Sequence, residues 1–295
     1  FLPHYLPPPR EYLETFDWIL IGGGGLVFER VGIWVNVHKW LRYCRAKIGV
    51  FGLGVNHIST ELEIELTRLI EASEFFYVRD IQSKELLRHP KATVYPDLTW
   101  CFPIDIEVDH EKEEGVALNL LPCHWKDFNY DAWVENLSDI SIHPFPFHFN
   151  KNRDYALLKH YFKETTPSEF SLAPLIKSKI LIGCRYHSIV FSMQMGKPFI
   201  AINYDKKVER LLQESNLSEC CLETTEHHLI REKLDFVFTH EAKLKERIAF
   251  FANSQKEQAI KLRESVHSYL SNPLPHMPDA STFSLKSALK SYMRG

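Results

Sequence analysis

Arg185 and His187 stand two residues apart, directly after the apolar run Lys179-Ile180-Leu181-Ile182-Gly183. A guanidinium grips a carboxylate or phosphate through two parallel hydrogen bonds, and an imidazole exchanges protons near neutral pH. If the pleat of a strand persists past Gly183, both side chains point to the same side. The next apolar run, Pro198-Phe199-Ile200-Ala201-Ile202, ends in Asn203-Tyr204-Asp205-Lys206-Lys207, so a lysine stands where a neighbouring strand would end. One of these two lysines is expected to be an ordinary surface charge. Arg79-Asp80, after Phe75-Phe76-Tyr77-Val78, adds a third cation at a strand end. Three cations at strand ends suit an anionic ligand. The plainer alternatives are an Arg185–His187 pair that caps the next helix or meets an acid, and an Arg79 bridged to Asp80.

These residues need a frame that brings strand ends together. Asp17-Trp18-Ile19-Leu20-Ile21 is an apolar run stopped by Gly22-Gly23-Gly24-Gly25, and Lys47 to Gly54 repeats the pattern. Continuous apolar runs closed by glycine suit strands buried on both faces of a parallel sheet. The tetraglycine can bring backbone N–H groups close to a ligand, helped by a following helix; otherwise it is a tight strand-to-helix turn. It is neither GxGxxG nor a P-loop, so nucleotide binding is unsupported. Ser59 or Thr60 caps a helix with Leu62, Leu66, Leu69 and Ile70 on one face. Strands at 75–78 and 93–95 follow, with a helical turn at 83–88. Residues 105–114, rich in acids, read as a solvated connection between domains. The alternation then restarts with strands at 115–120, 140–145, 179–183 and 198–202. Helices are expected at 154–162, 189–195 and 207–215, and a long polar helix or helix pair at 240–270. Alternating strands and helices imply a doubly wound α/β sheet, which presents ligands at the carboxyl ends of its strands.

The chain has 295 residues with 45% hydrophobic and 25% charged side chains, enough to bury a core without staples. A net charge of -3 gives no global basic field, which weighs against nucleic acid as a partner. Six cysteines without a CxxC pair make neither a disulfide framework nor a zinc site, and point to the reducing cytoplasm. No signal-peptide pattern opens the chain and no apolar run approaches a membrane span. The sequence starts at Phe1 and runs into Pro7-Pro8-Pro9, and native sequence before it is expected. The tail from Lys286 to Arg294 is basic and suits an anionic lipid surface, or is simply solvated.

Five segments in order carry a resemblance: Asp17 to Gly25; Val78-Arg79-Asp80-Ile81-Gln82-Ser83; Tyr95-Pro96-Asp97; Arg185-Tyr186-His187-Ser188; and Gly196-Lys197-Pro198 through Lys207. The series covers most of residues 16–217 and resembles the polysaccharide pyruvyl transferase family. Its order and spacing make it specific. Relatives usually open with a glycine-rich strand and an Asn-x-Gly-Asp turn that this sequence does not have, so either the first domain lacks its first strand here or the chain is a divergent member. Where relatives often have proline before the lysine, Lys206 stands here, which leaves Lys207 as the aligned cation.

The resemblance implies an α/β fold of two Rossmann-like domains facing across a cleft, similar to the GT-B glycosyltransferases. The domains are expected at 1–110 and 111–272, followed by a polar basic tail at 273–295. It further implies transfer of a pyruvyl group from phosphoenolpyruvate to hydroxyls of a cell-surface glycan or its precursor, closing a ketal and releasing phosphate. Arg79, Arg185 and Lys207 would hold the donor's anionic ends and His187 would protonate its methylene carbon, all four meeting in one cleft. Gly23, Gly24, Gly25, His148, Ser188 and Tyr204 complete the expected substrate-binding set, with His148 resembling a position near the acceptor. No metal and no cofactor besides the donor substrate are expected. The expected place is the cytoplasm, at most touching the inner face of its membrane. Two rival readings are a GT-B glycosyltransferase that uses a nucleotide sugar and a non-catalytic carbohydrate-binding protein. The Arg-x-His pair and Lys207 argue against the latter.

Overall fold

The computed structural model describes residues 13–27, 46–102, 104, 113–123, 127–150 and 153–271. In chain order its first elements are β1 (Trp18–Val27), β2 (Lys47–Val55), α1 (Thr60–Ala72), β3 (Phe75–Val78), α2 (Ile81–Leu87) and β4 (Ala92–Val94). Next come β5 (Val116–Asn119), α3 (Tyr130–Glu135), β6 (Ile142–Pro144), α4 (Asp154–Tyr161), α5 (Ala173–Lys177) and β7 (Ile180–Gly183). The last are α6 (Tyr186–Gln194), β8 (Phe199–Asn203), α7 (Lys206–Glu214), β9 (Cys221–Glu223), α8 (Ile230–Thr239) and α9 (Glu241–Leu270). They form two compact units, Phe1–Cys101 with Glu257–Gly295, and Phe102–Lys256. Each unit has its own parallel sheet, so Gly22 and Gly183 lie in different sheets.

In the first unit the strands lie in the order β1-β2-β3-β4. Ser59 caps α1, its hydroxyl accepting the Leu62 N–H at 3.3 Å. Spacings of three and four then turn Leu62, Leu66, Leu69 and Ile70 onto Val50, Phe76 and Val78. The alternation of β3 sends Phe75 and Tyr77 to the other face, where they pack with Leu262, Val266 and Tyr269 of α9. The Phe75 and Tyr269 rings lie 5.0 Å apart, and the Tyr77 and Ser265 hydroxyls are 2.6 Å apart. The sequence reading gave the whole of the last helix to the second domain. Instead α9 divides between the units, because its final turns carry an apolar stripe at i, i+4 and i+7.

β1 also departs from expectation. The strand runs through the tetraglycine to Val27, pairing Gly22 with Phe51 and Gly24 with Leu53, with a register break before Val27. Gly23 and Gly24 have φ of 83° and 91°, which only glycine adopts cheaply. The four glycines therefore form a bulged strand end rather than a tight turn. The helix expected after them, the 105–112 connection and the basic tail lie outside the described residues.

In the second unit the strand order is β6-β5-β7-β8-β9, all parallel. β5, β7 and most of β8 are fully buried, as their unbroken apolar sequences require. The chain leaves β5 toward β6 and returns to β5's other side as β7, so the topological switch point lies between β5 and β7. At the opposite, amino edge, the Lys197 ammonium is buried, donating to Glu113 and to the Ile176 and Ser178 carbonyls. Among the described residues, no helix is long and apolar enough to cross a membrane.

Leu262→Ala is expected to destabilise the protein by about 2–5 kcal/mol, the range for truncating a buried leucine. Chemical denaturation measures it, and a cost near zero would show that the end of α9 is not part of the first unit's core.

Candidate functional site

Asn119 ends β5 at the switch point and is fully buried. Its side-chain oxygen accepts the Arg185 N–H at 2.9 Å, and its amide donates to the Phe145 carbonyl at 2.9 Å. One side chain thus ties the segments that follow β6 and β7 to the central strand. The pleat does not persist past Gly183, because α6 begins at Tyr186 with Arg185 as its N-cap. His187 therefore sits in the first turn of a helix, half-buried, with the Tyr186 ring edge-on at 5.4 Å. The turn takes over because Ser188 supplies it with bonds. Both its N–H and its hydroxyl donate to the Arg185 carbonyl, at 3.0 and 2.7 Å. Ser188 is 0% exposed and packed beneath Gly183, so it builds the turn instead of touching a substrate.

Arg185 meets an acid, as the plainer reading allowed. Its Nε and Nη2 donate to the two Asp154 oxygens at 2.7 and 3.1 Å. The same carboxylate accepts the Phe147 and His148 N–H groups at 2.8 and 2.9 Å. Asp154 is 0% exposed while the Arg185 side chain keeps 14% exposure, and Nη1 takes no part in the pair. His148 is held solvent-facing beside this pair. Desolvation by the packed chain lowers its imidazole below the ordinary value, Arg185 and His187 lower it further, and Asp154 opposes them.

β8 lies beside β7, with Gly183 opposite Ala201, so its carboxyl end adjoins Arg185. Asp205 caps α7 by accepting the Lys207 N–H at 3.0 Å. The Lys207 ammonium stands 3.8 Å from the Asp205 carboxylate and 4.9 Å from the centre of the Tyr204 ring. Lys206 is exposed, and Lys207 is the half-buried member of the pair. Tyr204 is buried. Burial pushes its phenol well above the ordinary range, Asp205 adds to this, and the nearby Arg185 opposes it. The second unit therefore gathers His148, Asp154, Arg185, His187, Tyr204 and Lys207 along one sheet edge. Two helix amino termini, those of α6 and α7, open there and favour anions.

Arg79, Gly23 and Gly24 belong to the first unit. Arg79 follows β3 with its side chain only 2% exposed, its Nε 3.5 Å from Asp80 and its Nη1 3.6 Å from Asp97. A Cβ on Gly54 would stand 2.5 Å from the guanidinium carbon, so glycine there makes room for the arginine. Asp80 caps α2 through the Ser83 N–H at 2.7 Å, and the Ser83 hydroxyl accepts the Val55 N–H at 2.9 Å. Asp97 accepts both the N–H and the hydroxyl of Thr99. Arg79 is thus set in a buried network of carboxylates. Sequence reasoning missed Asn119 and Asp154. A polar residue closing an apolar strand pointed to the first; an acid in the first turn of a helix, 31 residues before its partner, gave little sign of the second.

Residues 2–206 match a family model described as polysaccharide pyruvyl transferase, a stretch that includes Arg79, Arg185 and His187 and ends one residue before Lys207. No curated protein sequence matches the chain. Among solved structures, a putative UDP-N-acetylglucosamine 2-epimerase from Listeria monocytogenes is similar with a TM-score of 0.56 and 12% identity. That match covers 90% of this chain and 78% of the epimerase. UDP-GlcNAc 2-epimerase from Neisseria meningitidis, bound to UDP-GlcNAc, gives 0.53 and 13%, over 88% and 79% of the two chains. At such identities the likeness shows the fold, which is of the GT-B type.

Asn119→Ala is expected to cost about 1–3 kcal/mol for each backbone group it strands at the switch point. Asn119→Asp must destabilise as well, because it sets a second acceptor against the Phe145 carbonyl. Urea denaturation checks both, and unchanged midpoints would mean that water replaces these bonds.

Proposed function

Because the chain belongs to the polysaccharide pyruvyl transferase family, we propose that it moves a pyruvyl group from phosphoenolpyruvate to two hydroxyls of a sugar. The acceptor is part of a cell-surface glycan or its precursor, the product is a ketal, and phosphate is released. The observation that carries this reading is the grouping of Arg185, His187 and Lys207 beside two helix amino termini at the switch-point edge of the second sheet. Phosphoenolpyruvate carries a carboxylate and a phosphate, and such an edge offers cations and N–H donors together.

In this reading Arg185 presents Nη1 to one anionic end of the donor, and Lys207 leaves Asp205 for the other. Arg79 is a third donor-binding cation on the strength of its motif. The His187 imidazolium gives its proton to the methylene carbon, which becomes a methyl group, while the first sugar hydroxyl adds to the neighbouring carbon and passes its own proton to the imidazole so vacated. The carbon–oxygen bond to phosphate then breaks, and the phosphate leaves toward Lys207. The second hydroxyl attacks the same carbon, its proton leaves with phosphate, and the ring ketal closes. His148, which is exposed, is assigned to the acceptor in this reading. The reaction needs no cofactor besides the donor. The five described cysteines are all free thiols, which suits a cytoplasmic enzyme.

The test is phosphate release from phosphoenolpyruvate against a panel of sugar acceptors. Nucleotide release from a sugar nucleotide, with phosphoenolpyruvate untouched, would replace this reading with a glycosyltransferase. His187→Ala is expected to lower turnover by about two to four orders of magnitude while leaving donor affinity largely intact. Arg185→Lys should weaken donor binding despite its retained charge, since an ammonium cannot reproduce the planar contact. Near-normal turnover in the His187 variant would remove its role as acid.

A further inference from the structure

We propose that Asp154 is the positioning residue of the donor site, an assignment that rests on the reading of Arg185 as a donor-binding group. Its carboxylate accepts four hydrogen bonds, two from Arg185 and one each from the Phe147 and His148 amides. Four is about the capacity of an ionised carboxyl, and the group has no exposed surface. Asp154 is therefore shut off from substrate and from proton transfer. Whatever it does passes through its partners.

Those partners are what a donor and an acceptor would meet. The two-point contact uses the Nε and Nη2 edge of the guanidinium, fixes the plane of the group and leaves Nη1 outside the pair. The two amide bonds fix the chain on which His148 stands, so one carboxylate sets Arg185 and His148 relative to each other. Asp154 also offsets much of the Arg185 charge. The arginine then contributes direction more than raw attraction. A carboxylate that served only to staple the α4 turn would need its two amide bonds and no arginine.

Asp154→Asn keeps the shape of the side chain but sets an amide donor where Arg185 or a backbone N–H now donates. Phosphoenolpyruvate affinity by calorimetry and phosphate release should be measured in the wild type, Asp154→Asn, Arg185→Ala and the double variant. Asp154→Asn is expected to weaken donor affinity about ten- to hundredfold, the size of a lost charge-assisted contact, and to raise the acceptor KM. The double variant should bind the donor no worse than Arg185→Ala alone, because Asp154 acts through that arginine. A lower melting temperature with wild-type donor affinity and KM would overturn the proposal. So would a further loss of affinity in the double variant. Should Asp154→Asn fail to fold, Asp154→Glu keeps the ion pair but displaces the guanidinium by one methylene, and wild-type affinity there would equally overturn it. Wild-type protein that neither binds nor consumes phosphoenolpyruvate refutes the donor assignment and this proposal with it. Wild-type activity with an indifferent Asp154→Asn refutes the role of Asp154 alone.

Discussion

The second unit's functional edge depends on one buried carboxylate and the guanidinium laid across it. Asp154 comes from the start of α4 and Arg185 from the cap of α6, while the amides that complete the site belong to the chain after β6. Burying the acid is costly on its own, and losing one partner of such a pair typically destabilises a protein by about 3–5 kcal/mol. That cost makes the arrangement rigid. Asn119 adds a second tie, linking the same two segments to β5 through backbone bonds. Between them, the two side chains fix the segments that follow β6 and β7 at the switch point.

The same principle recurs with different strength at the other cations. Arg79 sits deepest, wedged against Gly54 between Asp80 and Asp97 with 2% of its side chain exposed. Arg185 keeps 14%, and Lys207, with 24%, stands 3.8 Å from the Asp205 carboxylate. Exchange of an internal carboxylate for a ligand's anion costs least where the internal bond is long and wet. By that measure the Lys207–Asp205 pair is the cheapest of these to exchange and the Arg79 pairs are the costliest.

Much of the frame was legible in the sequence. Unbroken apolar runs located the strands 18–21, 47–54, 75–78 and 180–183, since a strand covered on both faces has no polar side to show. The motif order located the family. What stayed hidden was set by tertiary contacts. Nothing local tells that the strand pleat gives way at Arg185; the Ser188 bonds that start α6 there win over continued extension. Nothing local tells that the end of α9 covers Phe75, or that an acid near residue 154 answers an arginine at 185. β9, three residues long, exists because β8 leaves an edge to pair with, and no run of three residues announces that.

The helical placement of His187 changes the chemical argument more than the strand reading would have allowed. On a pleated strand the imidazole and the guanidinium would share one side and compete for the same anion. In the first turn of α6 they diverge, because residues two apart on a helix do not face each other. The arginine, as cap, is held back toward Asp154, while the histidine stands one step into the helix beside the N–H groups that open it. A donor anion seated on those N–H groups would then lie next to the imidazole without displacing the ion pair. In the proposed reading, proton delivery and anion binding would then fall to different groups of one short motif.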